Sequence, residues 1–278
     1  MTSRRRRIAV VKVGGDVVQS AEQLAGLGHN VRELLDDDWD VIVLHGGGPQ
    51  TTALQERLGL KSTKIGGRRV TSRQDLIVVT QAVCGEVNVA LTCSLLGAGV
   101  RGFGCHGASG GMIEADKRPP MVVPGHGPEP VDFGEVGDVL TVDEVLLRGL
   151  LHLGVVPVIA TLGVSSLEGR AFNINADTVA VEIARTLGAE LLLLVTAVGG
   201  VFRRLDDPST RLGTLTTDRA RALIADGTIA GGMIPKVEEA LTLLDLGVGA
   251  VAILDAATPH AFTSAARGDG AVGTRLTV

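Results

Sequence analysis

The chain has 278 residues, 45% of them apolar and only 2% aromatic, a formal net charge of −5 and a mean hydropathy of +0.31. That length supplies the core of one large α/β unit or of two fused lobes. The acidic balance argues against a phosphate-backbone binder, one Trp and no Tyr leave no stacking platform for single-stranded nucleic acid, and no run of about 18 uninterrupted apolar residues argues for a membrane-spanning helix.

Arg4 to Arg7 read as a solvated basic terminus that runs straight into Ile8-Ala9-Val10-Val11, too short an apolar stretch for a signal-peptide core, so the expected location is cytoplasmic. Residues 8–13 form an apolar, β-branched strand ending in Gly14-Gly15. Residues 20–35 read as a helix capped by Ser20. Residues 41–44 are a second buried strand, stopped by Gly46-Gly47-Gly48, with Pro49 placed to open a helix. Thr71 and Gln74 make a capping-box pattern ahead of a helix that reaches about residue 96, and 100–103 is strand-like. From 104 to 140 Gly and Pro are dense, and short β-prone pieces (112–113, 121–123, 136–140) lie between turns, as in an inserted hairpin region. Alternation then returns: a Thr141/Glu144 capping box and helix, strand 155–160, helix 176–187, strand 191–196, helices 217–225 and 233–246, strand 250–254 and a terminal strand. Continuous apolar strands alternating with helices predict a three-layer α/β/α sandwich with a mostly parallel, open central sheet. The expected lobes are 1–175 and 176–278.

Two motif matches mislead. Gly102-Phe103-Gly104-Cys105-His106-Gly107 spells GxGxxG, but a dinucleotide fingerprint must open a helix, and Gly110-Gly111 and Pro119-Pro120 follow instead. Asp132-Phe133-Gly134 lacks the catalytic loop and strand lysine that give this tripeptide meaning in protein kinases. The six histidines form no metal constellation; His45, beside glycines at a strand end, reads as a hydrogen-bonded structural residue. Cys84, Cys93 and Cys105 lack CxxC spacing and read as reduced thiols.

Four strand-end segments remain. Lys12-Val13-Gly14-Gly15 brings a lysine and two approachable backbone amides to the end of a strand. His45-Gly46-Gly47-Gly48-Pro49-Gln50 exposes amides at the positive end of a helix. Phe172-Asn173-Ile174-Asn175-Ala176-Asp177-Thr178 sets two carboxamides and a carboxylate at a helix start. Gly231-Gly232-Met233-Ile234-Pro235-Lys236 feeds a lysine into a first helical turn. Taken singly, each could be an ordinary glycine turn or a solvated lysine. Lys12 and Lys236 together with the glycine loops point to phosphate handling, and a parallel sheet gathers such turns along one edge.

These segments, with 66–71 (Gly-Gly-Arg-Arg-Val-Thr), resemble in order and over nearly the whole chain the amino-acid kinase family, and within it the kinases of N-acetylglutamate. The resemblance implies that 1–175 binds the acyl amino acid and forms a homodimer, and that 176–278 binds ATP with its Mg2+. The implied reaction is in-line transfer of the γ-phosphoryl group to the side-chain carboxylate of N-acetyl-L-glutamate. A carboxylate with a pKa of about 4.3 is already ionised and needs no base. By resemblance, Lys12 and Lys236 stabilise the transferring group and Asp177 orients both lysines. Gly14, Gly15, Gly46 and Gly47 offer amides to the phosphoryl oxygens. Gly47, Gly48, Arg69, Asn173 and Asn175 hold the acyl substrate, with Arg69 on a carboxylate. No protein-held metal is implied. The chain departs from the common family pattern at Ala197, Val89 and Ser109. A kinase of carrier-linked aminoadipate and a ligand-sensing pseudoenzyme are the alternative readings. Residues 1–7 are too short and too uniformly polar to form an interlacing helix, so the expected dimer is one that free arginine does not inhibit.

Overall fold

The structure is a computed structural model that describes residues 6–204, 206–230, 233–245, 248, 250–268 and 270–277. The first half runs β1 (Arg7–Val13), α1 (Ala21–Asp36), β2 (Trp39–His45), α2 (Gly48–Arg57), β3 (Lys64–Ile65), β4 (Arg68–Arg69), α3 (Arg73–Thr80), α4 (Asn88–Gly97), β5 (Gly102–His106), β6 (Ile113–Lys117) and β7 (Gly137–Val142). The second runs α5 (Glu144–His152), β8 (Val156–Ala160), β9 (Leu162–Ser165), β10 (Arg170–Asn173), α6 (Ala176–Leu187), β11 (Leu191–Val195), β12 (Thr214–Thr216), α7 (Thr217–Ala225), α8 (Met233–Asp245), β13 (Val251–Leu254), α9 (Ala261–Arg267) and β14 (Thr274–Thr277).

The central sheet has eight strands in the order β12-β14-β13-β11-β1-β2-β8-β5. Its pairings are parallel except β13 with β14. Alternation along β1 builds both covering layers: Ile8 and Val10 pack into the core shared with α5 to α8, while Ala9, Val11 and Val13 pack against α1, α4 and α9. The same alternation puts Lys12 on the α6 side, one residue before the strand ends. Pairing of β1 with β11 over five residue pairs makes the sheet continuous across the expected lobe boundary.

Several local expectations are corrected. The box ahead of α3 is Ser72 with Asp75, not Thr71 with Gln74: Ser72 Oγ accepts the Asp75 N–H and Asp75 Oδ2 accepts the Ser72 N–H. Thr71 cannot cap, because its backbone is bridged to the 133–135 stretch and its residue is fully buried. Asp143, not Thr141, caps α5, since Thr141 belongs to β7. The hairpin region contributes β6 and β7, but to a four-stranded sheet, β10-β9-β6-β7, whose other strands went unrecognised; 121–123 makes only an isolated bridge from Met121 to Val131. Helix α9 was also missed. From Arg73 to Gly97 the helix is unbroken, yet Gln81–Val87 is π-helical. Length and composition would let this helix cross a membrane, but Val87, Leu91 and Leu95 are fully buried against the sheet, as in a core helix. Gly102–Gly107 leads from β5 into a 3-10 turn, not a helix. Met1–Arg5, Gly231, Gly232 and Leu246 lie outside the described residues.

Candidate active site

The two glycine turns at the ends of β1 and β2 lie against each other. Gln50 Nε2 donates to the Gly15 carbonyl at 2.7 Å. A Cβ on Gly15 would come within 2.8 Å of Pro49 Cδ and 2.9 Å of Gln50 Oε1, and one on Gly47 within 3.0 Å of Val83 Cγ2. Neither glycine is in the left-handed region, so what the site requires of them is space. Gly47 stands at the N-cap of α2, and Gly48 and Pro49 open it. The first-turn amides therefore face the same space as the turn after β1.

Helix α6 brings the counter-charge. Asn175 caps it, with Oδ1 accepting from the N–H groups of Asp177 (2.7 Å) and Thr178 (3.2 Å), and Gly188 ends it in the left-handed conformation. That fixes Asp177 in the first turn, where its carboxylate forms an ion pair with Lys12. Since Asn175 Oδ1 is committed to the cap, its Nδ2 is the end left to face a ligand.

A cavity of about 350 Å³ is lined by Lys12, Gly14, Gly15, Gly46, Gly47, Gly48, Arg69, Asn173, Asn175 and Asp177, together with Lys64, Val79, Val83 and Arg118. Every predicted site residue except Lys236 is thus brought together. Lys236 lines a second cavity, about 150 Å³, with Lys12, Gly14, Asp16 and Thr196. It also borders a third, about 340 Å³, with Val198, Phe202, Arg203, Thr228, Ala230 and Met233. Lys12 and Lys236 therefore meet at the small middle cavity. Among the described residues, no group of three or more His, Cys, Asp or Glu is arranged to hold a metal ion.

Arg69 is held by neutral oxygens: Nη1 donates to Gln55 Oε1 and Ser62 Oγ, and Nη2 to the Gly48 carbonyl (3.0 Å) and Thr52 Oγ1 (2.8 Å). Burial pulls its pKa down and Asp75 opposes the shift. Gln55, fully buried, passes the contact on, with Nε2 donating to Asp75 Oδ1 at 2.5 Å. Asn173 Nδ2 donates to Thr71 Oγ1 at 3.2 Å. His45 is structural: its ring is buried between the Gly46 carbonyl at Nδ1 (2.8 Å) and Asn88 Nδ2 at Nε2 (2.9 Å), and burial lowers its pKa to about 4. Cys84 and Cys105 are thiols pushed up by burial to about 11 and about 12.

Sequence reasoning missed Asp16, Gln55, Lys64 and Arg118. Arg118 clasps Asp138 Oδ1 through Nε (2.8 Å) and Nη2 (2.6 Å) and reaches the cavity from the second sheet; nothing local in its Pro-rich stretch signals that. Of the three departures, Val89 is exposed on α4 and Ser109 Oγ accepts the His106 N–H, both outside the cavity lining, whereas Ala197 lies on the loop beside the middle cavity.

The sequence matches the Amino acid kinase family over residues 7–255. An acetylglutamate kinase of Anaeromyxobacter sp. (strain Fw109-5) is 45% identical over 267 residues, covering 96% of this chain and 98% of the relative. Among solved structures, smu.665 from Streptococcus mutans UA159 superposes with a TM-score of 0.73 at 30% identity, over 97% of this chain and 98% of that one. Carbamate kinase from Giardia, at 15% identity and a TM-score of 0.65 over 99% of both chains, shares the fold.

Proposed function

This chain belongs to the amino acid kinase family, and we propose that it transfers the γ-phosphoryl group of ATP to the side-chain carboxylate of N-acetyl-L-glutamate, a step of arginine biosynthesis. The observation that carries the reading is the single cavity on which two glycine turns, Lys12, Asp177, Arg69, Asn173 and Asn175 converge, joined through Lys12 to the cavity of Lys236.

The substrate carboxylate attacks phosphorus; one P–O bond forms, the bond to the β-phosphate oxygen breaks, and ADP leaves. With an ionised nucleophile the protein has only to position two anions and neutralise charge. Lys12 and Lys236, on either side of the middle cavity, suit the transferring group, with Asp177 aiming Lys12. The amides of the Gly14-Gly15 and Gly46-Gly47 turns suit its oxygens. Arg69 and Asn173 suit the carboxylate end of the acyl substrate. The largely apolar third cavity suits the base, which supports a reading in which 176–278 binds the nucleotide and 1–175 the acyl substrate. Two lysines beside glycine amides fit a polyphosphate, and magnesium carried on it would neutralise part of its charge.

We place the enzyme in the cytoplasm, as a homodimer. Strand β5 is an edge strand, and Phe103 on it is exposed, as are Ile77, Val89 and Leu96 along the helix from 73 to 97. A second copy covering this face would bury both.

Trapping the acyl phosphate with hydroxylamine across a panel of carboxylates tests the activity. N-acetyl-L-glutamate should give the fastest hydroxamate formation. A faster aminoadipate conjugate would move the substrate, and no ATP-dependent product with any acceptor would make the chain a sensor.

A further inference from the structure

The turn after β1 is tied at two points to the end of β11 and the loop that follows it. The Gly14 N–H donates to the Val195 carbonyl at 2.9 Å, and Asp16 Oδ2 accepts the Ala197 N–H at 2.9 Å, 181 residues along the chain. Asp16 stands at the N-terminus of the 3-10 turn Val17–Gln19, where an aspartate ordinarily caps its own helix, yet its side chain makes no capping bond. The carboxylate is turned across the sheet instead. Ala197 contributes no side-chain acceptor to its loop, and a Cβ on Gly14 would meet Asp16 Oδ1, so a side chain there would have to displace this carboxylate. The same carboxylate borders the middle cavity with Lys12, Lys236 and Thr196, and Thr196, itself 8% exposed, has a buried hydroxyl without a partner among the described residues.

We propose that Asp16 is a positioning residue: its carboxylate pins the 196–198 loop to the glycine turn and so holds the middle cavity in the shape that receives the nucleotide phosphates. This rests on the kinase reading above. Asp16 acts through the Ala197 amide, and the Thr196 hydroxyl beside that amide is the polar group whose position it sets. A carboxylate next to two lysines has a rival role as a mere counter-charge. Bond and charge can be separated, because an asparagine oxygen accepts the same N–H without the charge, whereas a glutamate keeps the charge and displaces the acceptor by one methylene.

The test compares Asp16→Asn and Asp16→Glu with the parent. Binding of a non-hydrolysable ATP analogue is measured by calorimetry, KM for each substrate is determined, and thermal unfolding checks the fold. For the loss of one charge-assisted bond, the glutamate variant should weaken analogue binding and raise KM for ATP by about 10-fold, with KM for N-acetyl-L-glutamate within about 2-fold. The asparagine variant should stay within about 2-fold of the parent throughout. The opposite pattern assigns Asp16 to charge balance and overturns the proposal. So do equal losses in both variants, no loss in either, or parallel rises in both KM values. Analogue binding reads the proposal even if N-acetyl-L-glutamate proves not to be the acceptor, so the two readings fail separately.

Discussion

The two ends of the main cavity hold their cations in opposite ways. At the end proposed for the phosphoryl group, Lys12 is met by the carboxylate of Asp177. At the end proposed for the acyl substrate, Arg69 donates to four neutral oxygens, and Asp75 stands behind the uncharged Gln55. An ammonium is a point charge on a flexible stem, so an anion has to aim it. A guanidinium is a planar fork that neutral acceptors can aim while leaving its charge for a ligand. Charge delivery at one end and shape at the other should therefore fail differently.

The largest effect is expected at the phosphoryl end. Lys236→Ala should lower turnover by about 100-fold or more, the scale for losing one transition-state charge partner, with thermal unfolding little changed. Near-parental turnover would remove Lys236 from the chemistry and erase the contrast. Asp177→Asn should cost turnover about 10-fold through a misaimed Lys12, while the pH–rate profile keeps any basic limb. If that limb vanished at an unchanged plateau rate, Asp177 would be a base rather than an aiming group. At the acyl end, Arg69→Lys should raise KM for N-acetyl-L-glutamate about 10-fold and KM for ATP by less than about 2-fold, because a point charge cannot replace the fork. Equal rises in both KM values would take Arg69 out of the acyl end.

The smallest effect concerns His45, buried next to Gly46 at the start of the second glycine turn. Burial lowers the pKa of His45 from 6.5 to about 4, so unfolding takes up a proton between those values. Stability from this residue is complete above 6.5 and is lost as pH falls toward 4. Between roughly pH 7.5 and pH 6 denaturant titrations should show a loss of about 1 kcal/mol that His45→Gln lacks. Identical pH dependence in both proteins would show that the ring titrates normally.

Legibility followed sequence distance. Helix α6 was read with its observed ends because its stop and start are written beside it, in Asn175 and Gly188. Lys12, Asp177 and the glycine turns were readable because parallel strands deliver their ends to one edge. Thr71 misled because its capping side chain was judged without the bridge to 133–135 that buries it. Asp16 and Arg118 were invisible because their significance comes from Ala197 and from a second sheet, contacts that no local pattern encodes. Arg69 was singled out from the sequence, but the neutral clamp around it was not.

The π-helical segment Gln81–Val87 carries a last consequence. A π turn takes in one more residue than an α turn, so the helix beyond it is rotated by about 100° from the phase set before it. In effect the helix changes reading frame midway: α3 directs Val79 to the main cavity, and α4, reset, directs Leu91 and Leu95 into the sheet. A relative lacking one residue in this stretch would have lost no loop. It would have lost the phase correction, and a single helical wheel drawn through all 25 residues would set one half about 100° out of place against the other.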